Sequence, residues 1–184
     1  MSEKNIDEEA VKLGKKELQE GLTYDGVAFL FLKQSYEVVQ DTVRVLKDSE
    51  EEFGAVERPK LPIVEEELNY FFLFALHYWW QKSPSYTQEQ KQTLERVLFH
   101  GLSMEFGDDA QGHAAWNALQ ERFIAYGQIV NEQQDDSAKL HRFAKKLSAY
   151  CGTPYFHFVI LAPSLFTTAL KTISALATDK RRLR

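Results

Sequence analysis

The sequence predicts an all-α protein, a single-domain bundle of six or seven helices around a central aromatic-rich helix at about residues 65–82. Three observations carry this prediction. Apolar residues recur every three to four positions along most of the chain. The breaks between these runs hold helix-capping residues: Thr87 with Gln90, Asp108 with Gln111, and glycine at 21, 107 and 152. No stretch keeps the strict alternation of a half-buried strand.

In chain order, the first helix spans about 6–20, with Ile6, Ala10, Val11 and Leu18 at helical spacing and Gly21 as its stop. The second opens at Thr23, an N-cap residue type, and runs to about 47 through Val27, Ala28, Phe31, Val38, Val39, Val45 and Leu46. Residues 27–32 alone could form a buried strand, but the helical rhythm continues beyond them, and helix is preferred. Residues 48–63 read as an irregular acidic linker containing Glu50, Glu51, Glu52, Gly54, Pro59 and Pro62. Connections of that length are uncommon in compact domains. The Pro-x-x-Pro spacing of Pro59 and Pro62 fits an SH3-like groove, yet it is frequent by chance, and a stiff linker is the plainer reading.

The third helix, about 65–82, is apolar around most of its circumference. Glu66, Asn69, Leu73, His77 and Gln81 share one narrow stripe, while Tyr70, Phe71, Phe72, Phe74, Leu76, Tyr78, Trp79 and Trp80 cover the rest. Such a helix belongs in a core or between subunits. The fourth helix enters at the Thr87/Gln90 capping box, buries Leu94, Val97, Leu98 and Leu102, and stops at Gly107. Asp108 is expected to cap the fifth, whose buried stripe is Ala115, Trp116, Leu119, Phe123, Tyr126 and Val130. The sixth, about 136–150, buries Leu140, Phe143, Ala144 and Leu147 and ends at Gly152. Thr153 and Pro154 are expected as N-cap and first residue of a last helix running to about 178, with a kink or break at Pro163. A basic tail, 179–184, follows.

Composition bounds the function. The chain has 184 residues and a net charge of −5, which argues against nucleic acid as a partner. Charge is unevenly spread: net −8 up to Leu68 and +3 from Asn69 onward, so that opposite-sign regions can pack on each other within a monomer, the preferred reading, or face each other across a dimer. The single cysteine, Cys151, excludes an internal disulfide, and the acidic start of the chain lacks the features of a leader, so a cytoplasmic protein is expected. Residues 147–170 are uncharged and a basic tail follows, an outline like that of a membrane anchor. Pro163, Lys171, Ser164, Thr167 and Thr168 break it into an amphipathic pattern, and a buried helix is preferred over membrane contact.

No Walker loop, Rossmann glycine fingerprint or nucleophile elbow is present, and no His-x-x-x-His or Glu-x-x-His spacing suggests a metal. No cofactor is expected. Asp109 and His113 lie one turn apart but lack further ligands. Lys139, Arg142, Lys145 and Lys146 form a basic helix face that reads as solvated surface. The segment 76–102, with Trp116 and residues 121–127, resembles small bacterial helical proteins in outline, which supports the fold class and implies no activity.

Two functional readings follow. The preferred one is a non-catalytic protein working through protein–protein contacts, including self-association as a homodimer or larger homo-oligomer, because the third helix carries a surplus of aromatic surface. The alternative is a small-molecule binder or enzyme with a pocket formed by His77, Tyr78 and Trp80. A weaker third reading is a peripheral membrane or regulatory protein using the basic C-terminal surface.

Overall fold

The computed structural model describes residues 23–48, 60–132 and 135–178. Among them are six α-helices and no strand: α1 (Tyr24–Asp48), α2 (Leu61–Lys82), α3 (Gln88–Phe106), α4 (Ala110–Glu132), α5 (Asp136–Cys151) and α6 (Phe156–Thr178). The protein is an all-α helical bundle. The helix expected at 6–20, most of the linker expected at 48–63, and the basic tail lie outside the described residues.

Side chains satisfy several helix ends where the sequence placed them. The Thr23 hydroxyl accepts from the Gly26 amide at 3.0 Å at the start of α1. Thr87 and Gln90 form a reciprocal capping box at α3, with bonds of 3.2 and 2.9 Å. Gly152 takes the left-handed conformation, φ 59°, that closes α5.

Four local expectations are corrected. α2 starts at Leu61, so 61–63 are helical rather than linker; Pro62 occupies the first turn, where its missing N–H has no intrahelical partner to lose. Asp109, not Asp108, caps α4, its carboxylate accepting from the Gly112 amide at 2.7 Å. The α3–α4 corner is so tight that a Cβ on Gly112 would stand 2.0 Å from the Phe106 carbonyl oxygen. α6 begins at Phe156, after a turn in which the His157 and Phe158 amides bond three residues back to Pro154 and Tyr155. Thr153 contributes its carbonyl, which accepts from the Ser148 hydroxyl at 2.6 Å. Finally, α6 continues as helix through Pro163, so of the kink or break expected there the break does not occur.

α2 packs against all five other helices, and α1, α3, α4, α5 and α6 follow one another around it. Phe71, Phe72, Phe74, Leu76 and Trp80 are all buried there. Phe71 meets Tyr126 of α4 and Phe143 of α5 edge-on, both at 5.2 Å between centroids. Each such ring removed from water is worth about 1.5–3 kcal/mol, so the aromatic surplus of α2 is spent on the protein's own core.

Strand-like ambiguity in α1 is resolved by its partners. It runs antiparallel to α2: Phe31 packs edge-on against Trp80 at 6.1 Å, and the Ser35 hydroxyl donates to Asn69 Oδ1 at 3.1 Å. α6 runs in the same direction as α2. Lys60, just before α2, donates to the Gly152 carbonyl at 2.8 Å, and the Trp79 indole donates to the Phe166 carbonyl at 3.0 Å farther along.

Candidate functional site

Helical geometry separates the three residues expected to line a pocket. Successive side chains diverge by about 100°, and each meets a different neighbour. Trp80 is buried on the α1 side, between Phe31 and a stacked Tyr86. Tyr78 turns toward α6, beside Trp79 and Phe166, with the Lys82 ammonium over its ring at 5.8 Å. His77 faces α3 and α4, between Phe99 and Phe123. The three side chains therefore do not converge.

His77 is 19% exposed and already paired: Nε2 lies 3.3 Å from the Glu95 carboxylate, with Gln81 beside both. Burial pushes its pKa down, and Glu95 opposes that shift. A neutral imidazole held by a carboxylate at the core boundary is a satisfied structural histidine, which matches the polar stripe on which the sequence places it.

The densest buried chemistry lies elsewhere. Glu67 of α2 and Arg122 of α4 form a two-pronged pair, with Arg122 Nε 3.0 Å from Oε2 and Nη2 2.6 Å from Oε1. Their side chains are 6% and 14% exposed. The guanidinium also bonds Glu121 at 3.1 Å and stacks 3.8 Å from the Tyr150 ring centroid. The hydrogen bond to Glu67 pushes the Arg122 pKa up, so the cation is permanent. Tyr126 is buried nearby, its hydroxyl without a hydrogen-bond partner, and burial raises its pKa well above the usual phenol value. Cys151 closes this group; burial and then Glu67 push its thiol up to about 12, which keeps it an unreactive thiol at neutral pH. The pair ties α2 to α4 and presents no free nucleophile or base. The sequence reading missed it.

Among the described residues, no group of three His, Cys, Asp or Glu side chains is placed to hold a metal. Asp109 is engaged as the α4 cap. On the basic face of α5, Lys139 pairs with Asp136 and Arg142 with Glu132, both at 2.9 Å, while Lys145 and Lys146 are exposed.

The surface that stands out belongs to α6. Its inner side, Phe158, Ala162, Leu165, Ala169 and Ile173, is buried. Its outer side leaves Phe156 51%, Val159 42%, Ile160 57% and Leu170 38% exposed. α6 is long and apolar enough to cross a membrane by length and composition, and only 22% of its most apolar window is buried. α5 and α6 together hold five basic side chains and one acidic one, Asp136 at the start of α5; Lys171 is the one charged residue of α6. Other exposed apolar residues, such as Met104 and Ile124, stand singly, as is ordinary for a folded surface.

Comparison with protein-family models, curated proteins and solved structures finds no match to this chain.

Proposed function

We propose that this protein is a non-catalytic helical protein that attaches to an anionic lipid surface through the α5–α6 hairpin. The observation that carries the reading is the exposed apolar side of α6, a helix whose one charged side chain is the basic Lys171. An amphipathic helix of this kind lies in the interface plane, its apolar residues among the acyl chains and its lysines at the phosphates. Each basic residue near an anionic leaflet contributes about 1 kcal/mol, within a screening distance that salt shortens.

The inner side of α6 favours lying on the surface over crossing the bilayer. Phe158, Leu165 and Ile173 hold the helix against the rest of the bundle, and crossing would tear them out of the core. The rings that motivated self-association in the sequence reading are turned inward on α2, so that argument now falls on α6. There it weakens for a parallel two-fold pairing, which would set the Lys171 side chains of two copies against each other. A small-molecule pocket at His77, Tyr78 and Trp80 is not favoured, since the three meet different helices.

The test is co-sedimentation with phosphatidylcholine vesicles, with and without phosphatidylserine. Binding is expected to the anionic vesicles alone and to weaken with salt. Val159→Asp/Ile160→Asp should weaken it by about tenfold or more, which needs only about 1.4 kcal/mol. Lys145→Glu/Lys146→Glu should weaken it and flatten its salt dependence. Absence of binding, or binding indifferent to Val159→Asp/Ile160→Asp, overturns the reading. So does a dimer in native mass spectrometry that this double variant dissociates, because the occupant of the face is then a second copy.

A further inference from the structure

Burial opposes the protonation of two histidines, and only one of them has a counter-charge. His77 lies against Glu95, whereas no carboxylate among the described residues acts on His157. His157 stands in the first turn of α6, the helix that carries the exposed apolar side. We propose that protonation of His157 undocks the first turns of α6 from the bundle, so that acid strengthens attachment of the α5–α6 hairpin to an anionic lipid surface. The inference rests on the lipid-binding reading of α6 and adds its regulation.

The surroundings of His157 are built against a cation. The residue is 2% exposed, and its Nδ1 is buried without a hydrogen-bond partner. Protonation leaves a charged donor there with no acceptor inside the protein. The first turn of a helix is also the positive end of its dipole, which disfavours a positive side chain. α6 packs against α2 and α5, and neither offers relief. The three acids of α2, Glu65, Glu66 and Glu67, are bonded to Gln40, Tyr70 and Arg122. Lys60, just before α2, is itself a cation and donates to the Gly152 carbonyl. The one acid of α5, Asp136, pairs with Lys139 at the far end of that helix. Nearer the turn, burial keeps the Cys151 thiol un-ionised, and the Tyr155 hydroxyl bonds to His141.

The same turn couples the proton to the lipid-facing side. The exposed Phe156 ring stacks on the His157 ring at 4.3 Å between centroids. Moving Phe156 among acyl chains therefore takes the cover off His157 and returns the imidazole to a wet site, where it protonates at its ordinary pKa. The linkage is reciprocal: a protein protonated at His157 gives up the docked turn more readily. Phe158, buried on the inner side, then joins Phe156, Val159 and Ile160 as apolar surface for lipid. Farther along, Leu165, Ala169 and Ile173 keep the rest of α6 in the bundle.

Hydrogen exchange in the absence of lipid tests the switch by itself, with protection corrected for the chemical exchange rate. Between about pH 7 and about pH 5.5, protection of residues 156–162 should fall about fivefold more in the wild type than in His157→Gln, which stays neutral. One histidine returning to a pKa of about 6.5 supplies about eightfold over that interval as an upper limit. In sedimentation with phosphatidylserine vesicles, the wild type's gain in affinity on acidification should exceed the variant's by a similar factor. His157→Leu, which fills the site with an apolar chain, is the second neutral variant should His157→Gln not fold. Equal changes in protection in wild type and variant overturn the switch, while attachment at about pH 7 leaves lipid binding standing. Loss of protection at 156–162 without vesicle binding at either pH supports the switch and overturns lipid binding. A loss spread evenly over all six helices is global acid unfolding and overturns local release.

Discussion

α2 and α6 are the most apolar of the described helices, and they occupy opposite situations. α2 is surrounded by five helices, with Val64, Leu68, Phe71, Phe72, Ala75 and Leu76 fully buried. α6 packs against α2 and α5 and leaves one whole side outward, with Ile160 more than half exposed. Apolar content alone does not tell an enclosed helix from one with an open side. What separates them is the polar minority. On α2 three polar groups that face inward have internal partners, Glu67 with Arg122, Asn69 with Ser35 and His77 with Glu95, while the buried Trp80 indole N–H has none. On α6 the outward polar groups, Ser164, Thr167, Lys171 and Ser174, are exposed and compatible with either water or a headgroup layer.

That contrast predicts the largest stability loss at Glu67. Glu67→Ala leaves the Arg122 guanidinium in a site that is 14% exposed, with only Glu121 to compensate. Removing one partner of a buried pair costs about 3–5 kcal/mol, and Glu121 places the expectation at the lower end. Glu67→Leu/Arg122→Met should restore most of the loss, since a buried pair contributes little beyond an apolar pair of similar volume. Urea unfolding of the three proteins measures both effects. A loss below about 1 kcal/mol in Glu67→Ala, the range of an exposed pair, would remove the contrast at this position.

Trp80 comes next. It is 1% exposed and packed between Phe31 and Tyr86, so Trp80→Ala should cost about 3 kcal/mol or more. Trp79 is only partly buried, but its indole donates to the Phe166 carbonyl. Trp79→Phe keeps most of the ring packing and removes that bond, and should cost about 1 kcal/mol. Equal losses in the two variants would mean that α2 is not held more tightly on its α1 side than on its α6 side.

How much of this was legible in the residues varies with how local the cause is. The capping box at Thr87 and the left-handed Gly152 depend on neighbours within a turn, and the sequence identifies both. The start of α2 was read too late because Pro62 was taken as linker, although proline fits a first helical turn. The Glu67–Arg122 pair left a signal that went unused. Glu67 is one turn before Phe71 and in line with Phe74, and Arg122 lies between Leu119 and Tyr126 on the buried stripe of α4. Two opposite charges on two apolar faces imply a buried pair, but their pairing depends on tertiary packing. The divergence of His77, Tyr78 and Trp80 was implicit in the helical angle. The outward side of α6 was not legible, because Phe156 and Ile160 look like core residues until the surrounding helices are placed.

His77 tests the α2 side with a smaller effect and a pH signature. His77→Gln should change stability by less than about 2 kcal/mol, since the residue lies at the boundary of the core. Burial lowers its pKa from about 6.5, so below that value the unfolded chain binds a proton that the folded protein resists. Stability should therefore fall as pH drops below about 6.5, until the folded value is passed, and hold steady above it. Burial acts on His157 in the same direction, so His77→Gln removes part of the slope and His77→Gln/His157→Gln removes more. Stability that rises on acidification through this range would mean that Glu95 outweighs burial at His77.

The smallest expected effect is on α6. Ile160 is 57% exposed, and neither its packing nor a hydrogen bond ties the outer side of the helix to the core. Replacing it by aspartate at an exposed helix position forfeits only modest helix propensity, about 0.5 kcal/mol. The same change at Phe72, which is fully buried on α2, would put an unpaired carboxylate into the core and should prevent stable folding. Thermal unfolding of the two variants measures the contrast directly: a loss above about 2 kcal/mol in Ile160→Asp would mean that the outer side of α6 is packed as its inner side is.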